Sequence, residues 1–359
     1  MESLREKIGQ LILVGLQGEA LAADERLVFE EYGFGGFVLS KRNCRAPGQI
    51  VSLCRGLWDL TGELPPFIAI DQEGGRVHRL PPPFTHFPPA ALIGDRNDPD
   101  LARRAGRAAA SELALAGINL NFAPVLDVNS DSRNPIIGDR AFAADPRTVM
   151  KLGWAWTEGL RDGGVIPCCK HFPGHGASDK DSHFDLPIVA KSMDEMTATE
   201  LPPFVHACRN NIEALMTAHV IYSSLDAQWP ATLSEKIVTG LLRQQLGYGG
   251  VIFSDDMEMK AISDRYGAEE AAYLSLRAGV DALLFCHQLN RAIQVCEFLC
   301  AQCEQDAALR ARVDESCARI ARLKRRSLKS FTGVPENEIL ERLARLDHGR
   351  VTAEFYGSL

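Results

Sequence analysis

Between two hydrophobic segments, the stretch KHFPGHGASDKDSHFDLP at residues 170–187 holds three histidines, three aspartates and two lysines. Side chains of these types gathered in so few positions serve acid–base chemistry or metal ligation. His183 follows Asp181 by two residues in a glycine-containing loop. A neighbouring carboxylate of that kind orients an imidazole and tunes it near neutral pH. His171, His175 and His183 also read as a metal set, because a zinc hydrolase built on a barrel takes histidines from strand ends. The adjacent Lys170 argues against that reading, since its charge opposes a cation at His171. His175, between Gly174 and Gly176, reads equally as a residue that shapes a tight loop by bonding to backbone.

Other polar residues fall at the ends of apolar runs. Asp71, Gln72, Glu73, Arg76, His78 and Arg79 follow FIAI; Asp127 and His219 end two further runs, and Ser254, Asp255 and Asp256 follow VIF. One carboxylate that attacks or activates water, with a second group that protonates the leaving oxygen, is the minimum for cutting an acetal. Asp255 suits the first role, because a rigid strand tip can surround it with donors that keep it ionised. His183 suits the second, with Glu73 and Asp127 next in order. Asp127 and Asp256 read first as caps of the following helices, and His219 reads as well as a satisfied core histidine.

These residues need a scaffold that brings many strand ends to one place. Eight apolar runs recur, at 12–16, 35–40, 67–71, 118–128, 165–172, 213–220, 250–256 and 281–286, with segments long enough for a helix between them. Nearly continuous apolar runs are what parallel strands buried on both faces require. DPDLARRAGRAAASELALAG (98–117) opens on Asp and Pro and closes on Gly117, the punctuation of a helix between two strands. The pattern predicts an α/β fold, a single (β/α)₈ barrel spanning about 5–290 with a C-terminal helical segment over about 291–359, the whole of 1–359 forming one domain. In such a barrel the strands' carboxyl ends carry the chemistry.

Composition removes other classes. A formal net charge of -8 excludes a protein that tracks nucleic acid or a membrane surface, since both need a basic face. The N-terminal segment carries Glu2, Arg5, Glu6 and Lys7 ahead of a short apolar run, too short for a signal core or a membrane span, so a cytoplasmic location is expected. The ten cysteines are too sparse for a disulfide scaffold and most are expected to be buried thiols; the lone Cys300/Cys303 pair has no second pair to complete a zinc site. The basic run 319–329 reads as a solvated helix face rather than an anion site.

IDQEGGRVHRL, IGDRAF, CKHFPGHGASDKDSH and VIFSDDMEMKA, in this order and spacing, resemble the motif set of the family 3 glycoside hydrolases. Within that family they resemble the bacterial β-N-acetylglucosaminidases of peptidoglycan recycling, over about 5–290. The resemblance implies a (β/α)₈ barrel and a retaining mechanism with Asp255 as nucleophile, His183 as acid/base and Asp181 orienting it. It places Asp71, Arg79, Arg140, Lys170 and His171 where residues hold sugar hydroxyls, while Arg76 reads equally as a salt bridge beneath the glycine turn. Many family 3 β-glucosidases take their acid/base carboxylate from outside the barrel; here the DSH loop is expected to supply the proton. The implied substrate is N-acetylglucosamine linked to 1,6-anhydro-N-acetylmuramic acid, with or without peptide, with no cofactor, no metal and no obligate protein partner. A phosphorylase of the same sugars, a sugar-binding protein without activity and a metal-dependent hydrolase are the alternatives.

Overall fold

The computed structural model describes residues 3–60, 62, 64–178, 186–346 and 348–357. The eight apolar runs form eight parallel strands: β1 (Ile12–Gly15), β2 (Gly36–Leu39), β3 (Phe67–Ile70), β4 (Leu120–Asn121), β5 (Ile166–Phe172), β6 (Ala214–Thr217), β7 (Val251–Asp256) and β8 (Ala282–Phe285). Each pairs with its neighbour in chain order, and β8 closes on β1 with Ile12 opposite Leu283. Every residue of β1, β2, β3, β6 and β8 is buried, as expected for strands covered by helices outside and side chains inside. The fold is the expected (β/α)₈ barrel with C-terminal helices.

Two outer helices show how the sequence sets the packing distance. In Pro99–Leu115 Asp98 caps the first turn, accepting from the N–H groups of Asp100 and Leu101. Small residues then face the helix Pro146–Asp162: a Cβ on Gly106 would stand 2.5 Å from the Trp156 carbonyl oxygen, and one on Gly159 would stand 2.2 Å from that of Arg103. The Ala- and Gly-rich face therefore fixes a close helix contact that a larger residue would break.

The fourth run departs from expectation. Of 118–128 only Leu120 and Asn121 join the ladder, with one further bridge from Val125 to Lys170. Pro124 has no N–H to give the sheet. Asparagine side chains take over the stitching. Asn119 accepts from the Ile68 N–H at 2.9 Å and Asn121 from the Gln72 N–H at 3.0 Å, while each amide NH₂ donates back, to the carbonyls of Pro66 and Gln72. A small three-stranded sheet, Ile188–Val189, Ile221–Tyr222 and Asp226–Pro230, was not anticipated.

The strands' amino ends are sealed by the helix Ala307–Ser327 of the C-terminal segment. Phe253 meets Phe67 and Phe122 edge-on inside the barrel, both at 5.8 Å. The buried Lys324 ammonium sits 4.9 Å from the Phe67 ring centroid and donates to Gln10 Oε1 and the Gly35 carbonyl. Buried Asp281, just before β8, gathers the guanidinium groups of Arg243, Arg312 and Arg319 and accepts from Ser316 and the Ile252 N–H. The expectation of a uniformly solvated basic run is thus corrected: Arg319 and Lys324 turn inward to satisfy buried acceptors, while Arg325 and Lys329 stay exposed. Cys300 and Cys303 lie in the helix Leu289–Gln305, and all ten cysteines are free thiols. Among the described residues no helix is long and apolar enough to cross a membrane.

Asp281→Ala would leave three guanidinium groups facing one another without their shared counter-charge. It should lower the unfolding free energy by about 3–5 kcal/mol, the range for breaking a buried ion pair. Arg322→Ala, which removes a single bond to the Gly249 carbonyl from the exposed side, should change it by less than about 1 kcal/mol. Urea denaturation midpoints of the two variants test the difference.

Candidate active site

The carboxyl ends of β3 and β5 meet through a buried charge cluster. The Lys170 ammonium, 3% exposed, lies 2.5 Å from Asp71 Oδ1 and 2.7 Å from Glu73 Oε1. Arg140, in the turn that follows β4, donates to both oxygens of Glu73 at 2.8 Å. Burial alone would raise the Glu73 carboxyl, but the charges and hydrogen bonds of Arg140 and Lys170 outweigh it and hold it well below its ordinary range. Glu73 is therefore a fixed anion. It cannot stand in as a proton donor.

Asp127 is fully buried and caps no helix, contrary to the first reading. One of its oxygens accepts the backbone N–H groups of His171 and His175, at 3.1 and 2.7 Å; the other lies 2.7 Å from His171 Nδ1. Burial raises its carboxyl and the two histidines lower it, with the net direction downward. An ionised Asp127 requires the proton on Nδ1 of His171. The opposite ring nitrogen, Nε2, is thereby aimed at Asp255 Oδ2, 4.0 Å away.

Asp255 stands where β7 bulges, between the pairings of Phe253 with Ala282 and of Asp256 with Leu284. A bulge re-aims the side chains around it, and Asp255 faces the barrel mouth with its side chain 21% exposed. Its Oδ1 accepts the Asp256 N–H at 2.8 Å. Burial favours the protonated form, but His171, His219 and Lys170 together draw the carboxyl below its ordinary range. His219 is buried; its Nε2 lies 3.0 Å from the Asp256 carbonyl and its Nδ1 2.8 Å from Thr232 Oγ1. A carbonyl only accepts, so Nε2 carries a proton, and burial lowers the pKa of the ring. The core-histidine reading of His219 is thus met at a place that also supports the β7 bulge. Asp256 points away, accepting from the Glu258 and Cys286 N–H groups and lying 3.2 Å from His287 Nε2.

Of the remaining sequence candidates, Arg79 projects its guanidinium into the cavity beside Asp71 and makes no hydrogen bond or ion pair through it with the described residues. Arg76 is structural, bonded to Asp139 at 2.9 Å and to the carbonyls of Ile136 and Ile137. Asp181 and His183 lie outside the described residues. The segment leading to them is pinned. Gly174 (φ +128°) packs on Glu200, and a Cβ on Gly176 would stand 1.5 Å from the Val128 carbonyl oxygen. Asn134 donates to the carbonyls of His175 and Gly176, Tyr222 to that of Gly174, and His175 Nδ1 meets Ser178 Oγ at 2.7 Å. Burial, with the charge of His171, pushes the His175 imidazole down to about 4. Asn134, Tyr222 and Glu200 carried no signal in the sequence; nothing in their local spacing sets them apart from other loop and strand polar residues.

Asp71, Glu73, Arg79, Lys170, His171 and Asp255 line a deep pocket of about 140 Å³. Asp71, Arg79 and Asp255 also border a wider cavity of about 610 Å³. An ammonium, a guanidinium, an imidazole and carboxylates around one pocket suit a polyhydroxylated ligand.

The cluster's stability contribution has a defined sign. Glu73 is depressed below its ordinary 4.5, so what it contributes is complete above pH 4.5 and is lost as pH falls toward the folded-state value. Glu73→Ala should cost about 3–5 kcal/mol at pH 7, because it leaves Lys170 and Arg140 with one acidic partner fewer. The gap between wild type and variant, read from urea midpoints, should shrink as pH is lowered below 4.5.

Residues 3–323 match the family model described as the glycosyl hydrolase family 3 N terminal domain. The chain is 38% identical over 290 residues to a beta-hexosaminidase of Thiobacillus denitrificans, covering 79% of this chain and 80% of that one. Among solved structures, a glycoside hydrolase family 3 beta-N-acetylglucosaminidase from Paenibacillus superposes with a TM-score of 0.89 at 36% identity, over 96% of this chain and 69% of that one. NagZ from Neisseria gonorrhoeae, in complex with N-trifluoroacetyl-D-glucosamine, superposes with a TM-score of 0.74 at 32% identity, over 88% and 98%. A barrel with this ring of charged strand ends and these relatives belongs to glycosyl hydrolase family 3, and the chain is an enzyme of its β-N-acetylhexosaminidase group.

Proposed function

We propose that the enzyme is a retaining exo-β-N-acetylglucosaminidase that removes terminal N-acetylglucosamine from peptidoglycan fragments, with the 1,6-anhydro-N-acetylmuramic acid disaccharide, bare or peptide-bearing, as substrate. The observation that carries the reading is Asp255: an ionised carboxylate on a strand tip, with one oxygen tied to backbone and the other open to a polar pocket. In this reading Asp255 Oδ2 attacks the anomeric carbon while His183, oriented by Asp181, protonates the departing oxygen; the same imidazole then takes a proton from the water that releases the sugar. Asp71, Arg79, Lys170 and His171 hold the hydroxyls. Arg140, bound through both oxygens of Glu73, acts on the sugar chiefly by fixing Glu73 and through it Lys170. The complex of the gonococcal relative with an N-acylated glucosamine supports a 2-acylamino sugar at this site. Residues 1–359 are taken as one catalytic unit working in the cytoplasm on imported wall fragments.

Asp255→Ala should lose the large factor that accompanies loss of a nucleophile while keeping its fold, since the side chain faces a cavity. A slow fluorosugar substrate should label the wild-type enzyme on the peptide containing Asp255, seen by mass spectrometry. An inactivated enzyme labelled elsewhere than on Asp255 would refute Asp255 as the nucleophile, and the absence of any covalent label would refute the retaining mechanism. Initial rates that rise with added phosphate and yield a sugar 1-phosphate would instead favour the phosphorylase, and loss of activity to chelators the metal hydrolase.

His183→Ala should slow a disaccharide by about 10² to 10⁴-fold, the scale of general acid catalysis. With an activated aryl leaving group, glycosyl-enzyme formation needs little protonation, so the intermediate should accumulate and a burst should precede slow hydrolysis. Equal slowing of both substrates, with no intermediate, would make His183 a binding residue.

A further inference from the structure

The wider cavity at Asp255 runs past the polar pocket to the side of the mouth formed by the ends of β2 and β8. Leu39, Phe122, Met216 and Leu284 line its inner part. Its rim is cationic. Lys41 and Arg42 follow β2 and Lys260 follows β7, so two separate loops bring positive groups to one opening, with the His287 ring after β8 beside them. Arg42 is fixed in place, donating from Nε to the Leu16 carbonyl at 2.7 Å and from Nη2 to the Cys286 carbonyl. Lys41 and Lys260 are exposed, and their ammonium groups make no hydrogen bond or ion pair with the described residues.

Of the four acids that line the cavity, Asp71, Asp255, Asp256 and Glu258, the last two share this wall, and their oxygens are already engaged. Glu258 accepts the N–H groups of His287 and Gln288; Asp256 accepts those of Glu258 and Cys286 and pairs with the His287 ring. The cations, by contrast, keep unused donors. An isolated surface lysine is ordinarily just solvated, and one would signify nothing. Convergence is the informative feature here: a chain of net charge -8 gathers these groups on the opening that also holds its nucleophilic carboxylate.

We propose that this rim is a subsite for an oxyanion carried by the substrate, with Lys41, Arg42 and Lys260 as its donors. The inference rests on the assignment of Asp255, which puts the sugar in this cavity. A phosphate on the sugar's primary hydroxyl is one source of such an oxyanion. A carboxylate on the substituent of the leaving-group sugar offers the same chemistry from the other side of the scissile bond.

Calorimetric titration of the intact enzyme separates the sources without needing turnover. N-Acetylglucosamine 6-phosphate is compared with its neutral 6-O-methyl counterpart, and 1,6-anhydro-N-acetylmuramic acid with its methyl ester, at low ionic strength. One anionic ligand is expected to bind about tenfold more tightly than its neutral counterpart, as charge-assisted contacts with two or three cations allow. The pair that shows the preference identifies the source. Changing Lys41→Glu together with Lys260→Glu should reduce that anionic-to-neutral ratio by about tenfold or more. Equal binding within both pairs, or a preference that survives in the double variant, overturns the proposal. Failure of the Asp255 assignment would show in fluorosugar labelling instead, so the two outcomes are distinguishable.

Discussion

The site depends on the neutralisation of one buried cation. Lys170 places an ammonium 3% exposed at the end of β5, where a lone charge would cost several kcal/mol. Asp71 and Glu73 supply the opposite charge from β3, and Arg140 holds Glu73 from the other side. Because one Glu73 carboxylate bridges two cations, the loops after β3 and β4 and the end of β5 cannot move independently. The same cluster fixes its own protonation. Glu73 stays ionised because the cations are near, and Lys170 stays charged because the carboxylates outweigh its burial.

The barrel's two ends use buried charge differently. At the amino ends Asp281 and its three guanidinium groups bind the helix Ala307–Ser327 to the sheet. At the carboxyl ends Asp71, Glu73, Lys170 and Asp255 border a pocket, and Asp127 supports the His171 that does. That division follows from the strands themselves, whose inner faces are filled by Phe67, Phe122 and Phe253 between the two ends. Aromatic packing separates the charges and lets the mouth be specialised without unsealing the base.

Seven of the barrel strands were legible because burial on both faces demands apolar residues at consecutive positions. The fourth was legible only as a hydrophobic run. Pro124 interrupts its ladder, and the replacement bonds come from the side chains of Asn119 and Asn121, which a hydrophobic pattern does not register. The same limit explains Asp127. A strand-end aspartate reads as a helix cap when only its neighbours are known; its partners here, His171 and His175, lie 44 and 48 residues along the chain. Asp255 was legible from its position after VIF and from motif resemblance, whereas the bulge that aims it depends on pairing with β8.

In the nucleophile role proposed for it, Asp255 faces a conflict inherent in a carboxylate. It must be ionised, which favours nearby positive charge and donors, yet each donor that binds an oxygen also makes it less nucleophilic. Here the two oxygens are treated differently. Oδ1 is held by the Asp256 N–H, while Oδ2 lies 4.0 Å from the His171 imidazole nitrogen, beyond hydrogen-bond distance. His171, His219 and Lys170 act on it through space, while the His219 Nε2 itself is bonded to the Asp256 carbonyl rather than to the carboxylate. The field thus keeps the proton off while leaving Oδ2 with a free lone pair. Its direction is set by the bulge in β7, which His219 supports from beneath.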